Sequence, residues 1–135
     1  MTRIDGRKLG IWSLRLDAAY CLILGILVAS TAPYIANVVA LPLPLLFITG
    51  MIVALWAGLV LVMVARMRLR LALALVMGVN IVAAILIAAA SLTAATTLVT
   101  IAVLAIALDV GAFAASQMLA IRRLHTAPRS IAAAG

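Results

Sequence analysis

The chain is poor in nearly everything a water-soluble domain uses to face its solvent. Of its 135 residues only 10% are charged and only three are acidic, while 69% are apolar and the mean hydropathy is +1.39. Soluble domains average about 25% charged and about 45–50% apolar residues. So little polar surface cannot coat a globule of this size, and the bilayer is the expected solvent. The same shortage excludes disorder. Cys21 is the one cysteine, which excludes an internal disulfide and two-thiol redox chemistry. The one histidine, His125, falls outside the apolar runs, so a haem held by paired intramembrane imidazoles is excluded. No metal-ligand spacing of His, Cys and carboxylate occurs, and no glycine-rich phosphate loop. Asp17 and Asp109 fall at different depths, so no paired-acid protease centre forms. A protein without catalytic activity or cofactor is expected.

What is present is four long apolar runs, at about 11–32, 43–65, 71–92 and 98–121. A spanning helix needs roughly 20 mostly apolar residues. Lipid offers the backbone no hydrogen-bond partner, so runs of this length close their own bonds as helices. The period-two alternation of a membrane barrel strand is missing. The expected fold is an all-α membrane protein, an up-down bundle of four transmembrane helices over residues 11–125. An N-terminal segment at 1–10 and a tail at 126–135 flank it. The first run exceeds the length of a signal peptide's apolar core and is followed by Pro33, so it reads as a retained helix.

Charge sets the orientation. Arg3, Arg7, Lys8 and Arg15 precede or open the first run, Arg66, Arg68 and Arg70 join the second to the third, and Arg122, Arg123 and Arg129 follow the fourth. All ten basic residues therefore lie on one side of the membrane, so the net charge of +7 argues for a membrane surface and against nucleic acid. Under the positive-inside rule both termini and the turn at 66–70 are cytoplasmic, and the loops at 33–42 and 93–97 face out. Arg66, Arg68 and Arg70 are placed to meet anionic headgroups. Nine of the ten basic residues are Arg, a GC-rich coding habit that points to a bacterial plasma membrane. The loop at 33–42 has prolines at both ends, which fits a short helix along the outer surface anchored by Tyr34.

Helices in lipid associate through close backbone approach and polar contacts. Small residues at spacing four supply candidate faces: Cys21, Gly25 and Ala29 in the first run, Gly50, Ala54 and Gly58 in the second. Ala74 and Gly78 mark the third, and Ala107, Gly111 and Ala115 the fourth. Such faces serve contacts inside the bundle, a homo-oligomer or a larger membrane-protein partner.

Among the polar residues Asp109 stands out. It lies near the middle of the fourth run, where an ionised carboxylate costs about 2.5–3.5 kcal/mol. No cation shares its depth, which favours the neutral acid donating a hydrogen bond. Asn80 is as far before the outer turn as Asp109 is after it, so the two are expected level and paired. Phe113, Ser116 and Gln117 follow Asp109 at helical offsets and extend a polar face. Asp17, inside the cytoplasmic end of the first run, is expected to reach Gln117.

The layout resembles small four-helix bacterial integral membrane proteins with no assigned activity: Leu16-Asp17 opens the first helix, Leu41-Pro42 closes a proline-bearing loop, and Asn80 sits mid-third helix. The resemblance covers most of the chain and implies the fold alone. The first-helix glutamate motif of small multidrug transporters and the asparagine-bearing second-helix motif of fluoride channels are both missing. Three functions remain open: an accessory or scaffold subunit docking to other membrane helices, which the sequence favours; a small oligomeric transporter or channel with Asp109 responding to protons or cations; and an intramembrane binder of lipid or quinone.

Overall fold

A computed structural model describes residues 5–126. Four long helices, α1 (Gly6–Val39), α2 (Leu43–Arg66), α3 (Leu69–Ala90) and α4 (Thr97–Thr126), follow in order, with one 3₁₀ turn, Ser91–Thr93, between α3 and α4. All four are long and apolar enough to cross a membrane, and no strand occurs among the described residues. Arg3, Arg129 and the expected tail beyond Thr126 lie outside the described residues.

The ends differ from the sequence reading in ways local chemistry explains. Asp5 accepts a hydrogen bond from the Arg7 amide and caps α1 at Gly6, five residues before the apolar run begins. At its other end α1 runs straight through Pro33, so the expected loop and surface helix at 33–42 are mostly a continuation of the first helix. Asn37 donates to the Pro33 carbonyl within that extension. With 34 residues α1 is about 51 Å long, well beyond the roughly 30 Å of a hydrocarbon core. The chain turns instead at Ala40, in the left-handed region with φ 51°, and Pro42 precedes α2 with Pro44 in its first turn. The Val38 carbonyl accepts from the Ala95 amide, tying the far end of α1 to the α3–α4 link. Thr96 caps α4 through the Val99 amide. The turn expected at 66–70 narrows to Met67 and Arg68, with Arg66 ending α2 and Arg70 in the first turn of α3.

Packing departs from a symmetrical bundle. α1 lies between α2 and α4, α3 packs on α4 and reaches α1, and α2 and α3 meet little despite their short connection. A cluster at the basic end joins all four helices through Leu14, Ala18, Val60, Met63, Leu73, Val76 and Ala120. Most large apolar side chains elsewhere face outward, among them Leu55, Ile85, Leu86 and Leu108, as a lipid-facing surface requires.

The α1–α2 contact is made by backbone. A Cβ on Gly25 would lie 2.6 Å from the Ala54 nitrogen, and one on Gly50 would lie 2.6 Å from the Ala29 nitrogen. Gly25, Ala29, Gly50 and Ala54 thus form the close approach their spacing foretold. Gly58, Gly78 and Gly111 do not: a Cβ on any of them meets nothing within 4 Å. On α4 the buried stripe is Ala107, Val110, Ala114, Gln117 and Ala120, so the expected Ala107–Gly111–Ala115 face turns outward after its first member. Gly25→Ala is expected to lower stability by about 1–3 kcal/mol through backbone overpacking. Gly58→Ala should be neutral or raise it by roughly 0.5–1 kcal/mol through helix propensity. Detergent-titrated unfolding monitored by circular dichroism separates the two, and equal losses would contradict the glycine crossing.

Candidate functional site

Polar side chains gather in two places, one inside the bundle and one on its surface. The inner group is a closed ring on three helices. Asp17 of α1 accepts from Asn80 Nδ2 of α3 at 2.6 Å and from Gln117 Nε2 of α4 at 2.8 Å, both at Oδ2. Asn80 Nδ2 also donates to Gln117 Oε1 at 3.5 Å. Cys21, one turn along α1, donates its thiol to Asp17 Oδ1 at 3.6 Å. Asp17, Asn80 and Gln117 are 1%, 2% and 0% exposed, so the carboxylate is reached by three donors and no solvent. Its helix positions explain this. Asp17 continues the buried stripe of Gly10, Ser13, Leu14 and Cys21, and Asn80 continues that of Leu73 and Val76.

The Asp17–Gln117 contact matches the expectation; the Asn80–Asp109 pair does not form. Depth alone placed Asn80 opposite Asp109, but helix rotation decides partners. Asn80 turns inward with the buried face of α3, whereas Asp109 sits on an exposed side of α4. Asp109 there is hydrogen-bonded to the Tyr20 hydroxyl at 3.0 Å, in place of the expected Asn80. No other protein partner reaches it among the described residues. Tyr20 also stacks in a tilted contact on Phe113, with ring centres 5.5 Å apart. Tyr20 follows Leu16 at an offset of four, on the face beside the buried one that holds Asp17.

Tyr20 and Asp109 close one end of a groove of about 470 Å³ between α1 and α4. Leu9, Trp12, Ser13, Leu16 and Tyr20 line it from α1, and Asp109, Ala112, Phe113 and Ser116 from α4. Both sets follow helical offsets of three and four, so each is a single face. Its floor is the Ser13–Ser116 hydroxyl pair at 2.6 Å. Ser116 donates to the Phe113 carbonyl, so its one proton is used and Ser13 must donate to it. Trp12 and Leu16 are more than half exposed, which leaves the groove open along its side. The polar face proposed on α4 therefore divides: Asp109, Phe113 and Ser116 line the groove, while Gln117 turns into the core.

The basic end carries a third group. Arg66, Arg68 and Arg70 are exposed, and the Arg70 guanidinium meets the His125 ring at the last turn of α4. A Cβ on Gly6 would lie 2.9 Å from Arg123 Cβ, so the start of α1 packs against the last turns of α4 here. Trp56 packs on the core cluster, and its indole nitrogen is the one fully buried side-chain polar atom without a partner among the described residues.

Comparison with family models, curated proteins and solved structures finds no match to this chain.

The inner ring reads as structure, since its polar atoms are spent on one another. Asp17→Leu strands two buried amide donors and is expected to cost about 1–3 kcal/mol, more than the roughly 0.6 kcal/mol of an average interhelical hydrogen bond in lipid. Asp17→Asn keeps an acceptor and should lose less. Thermal unfolding in detergent orders the two, and a Leu variant as stable as wild type would remove the ring from the account of the fold.

Proposed function

We propose that this is a membrane-embedded binding protein whose α1–α4 groove takes an amphiphilic guest from the bilayer. The observation that carries this reading is the pairing of an apolar, side-open groove with a carboxylate at its deep end. Asp109 there lines the groove and meets one protein partner, the Tyr20 hydroxyl. Aromatic and aliphatic walls supply apolar contact, and a single polar group fixes orientation, which is the usual balance of a small-molecule site. A lipid or quinone binder is the form of this reading the sequence already allowed. A transport role for the same groove requires Asp109 to communicate with Asn80 and Gln117, and the enclosure of those two around Asp17 argues against that path.

A second reading, an accessory or scaffold subunit in a larger membrane complex or a homo-oligomer, draws on the open faces at Gly58, Gly78 and Gly111. Small residues with nothing above them are the surfaces on which another helix can seat closely.

In either case the basic end is proposed to face the cytoplasm of a bacterial plasma membrane, with both termini inside and Arg66, Arg68 and Arg70 at the anionic headgroups. In a Cys21→Ser background, an impermeant maleimide applied to intact cells should label Thr96→Cys and spare Arg68→Cys. The reverse pattern would invert the topology.

Native mass spectrometry of protein released from its own membrane tests the function. A small-molecule adduct is expected on wild type and lost in Ala112→Trp, which fills the groove from an exposed position. Release without any adduct but with a larger membrane protein would favour the second reading and count against the first.

A further inference from the structure

The groove carries charge of one sign at one end and the opposite sign beyond the other. Asp109 occupies the deep end, and Tyr20 is its one partner among the described residues. Toward Leu9 the groove approaches the basic end of the bundle, where Arg7, Lys8 and Arg15 of α1 are exposed. From Leu9 to Tyr20 the α1 wall rises about 16 Å. An elongated guest with a positive end is therefore attracted by Asp109 and repelled by the basic belt, which fixes its direction. The rings of Tyr20 and Phe113 stand beside the same carboxylate, and aromatic faces add to the attraction for an organic cation in a water-poor setting.

Resting on the reading of the groove as a guest site, we propose that the guest is an amphiphilic organic cation: its ammonium at Asp109 beside Tyr20 and Phe113, its apolar body along Leu16 and Trp12. No cation of the protein stands beside Asp109 among the residues that line the groove, and a bound organic cation supplies one. A neutral amphiphile fills the same walls without an ionic partner for the acid. An anionic one places its head at the basic belt and gains nothing from Asp109.

The test uses the full chain in lipid nanodiscs and two probes of one shape. One is ω-bromodecyltrimethylammonium; the other carries a tert-butyl group in place of trimethylammonium. With the head at Asp109, the bromine reaches toward Trp12 and quenches its fluorescence, and the Trp12→Phe variant supplies the background from Trp56. The cation is expected to bind more tightly than its neutral twin. Asp109→Asn should weaken the cation by about tenfold or more and leave the neutral probe unchanged. Ala112→Trp should weaken both. Equal binding of the two probes, or a cation affinity indifferent to Asp109→Asn, overturns the cation while the groove reading stands. Failure of both probes to quench Trp12 overturns the groove reading itself.

Discussion

The rotation of three of the four helices follows from the carboxylate of Asp17. Buried between three helices, it accepts from Asn80 and Gln117 at once, and those two amides bond to each other. Such a ring tolerates little rotation of any of its three helices, because a turn of one residue, about 100°, carries a side chain out of reach. Fixing α1 with Asp17 inward turns Leu16 a little over a quarter of a turn away, and Trp12 and Tyr20 with it. Fixing α4 with Gln117 inward does the same for Asp109 and Phe113. The groove is thus the outward consequence of the inward ring. Its two walls are the faces that flank the faces used for packing.

The remaining helix is held by different physics. α2 contributes nothing to the ring and is joined to α1 where Gly25 and Gly50 let two backbones touch. Lipid tails compete equally well for Leu and Val surface, so a membrane helix needs either close backbone approach or a polar bond to prefer protein. α2 has the first, α3 has the second, and between α2 and α3 there is neither along most of their length. That is why a connection of only Met67 and Arg68 does not make them close neighbours. Shortness of a loop fixes where two helices begin, and their facing residues decide whether they continue together.

The number, type and approximate extent of the helices were legible in the sequence because length and hydropathy determine them. Depth was legible too: Asp17 and Gln117 were expected to meet, and they do. Rotation was not. Four-residue stripes of small side chains occur on several faces of an alanine-rich helix, and spacing cannot say which face turns inward. Gly25 and Gly50 did, Gly58, Gly78 and Gly111 did not. Asn80 was assigned to Asp109 by level and went to Asp17 by rotation. A usable signal existed in the apolar context, since Leu73, Val76 and Asn80 share one stripe and Leu14, Asp17 and Cys21 another. Pro33 misled in another way. Proline was read as a break, yet Ala40 in the left-handed region and Pro42 end the helix, and α1 carries Pro33 within it.

The contrast between the two membrane carboxylates bears on function. Both are candidates for the bland role of fixing helix register. Asp17 fills that role as physics predicts: it is enclosed, with three donors directed at it and nothing left to bind. Asp109 is placed the opposite way. It sits mid-helix on an exposed side, with one phenol as donor, at the end of a groove whose other walls are apolar. A residue kept only for helix register gains little from that position, because one phenol is all the protein sets against the cost of a carboxyl group in lipid. Removing the carboxylate would leave the ring, the glycine crossing and the basic-end cluster intact. A polar group that the fold does not require is where the proposed guest would make its one polar contact.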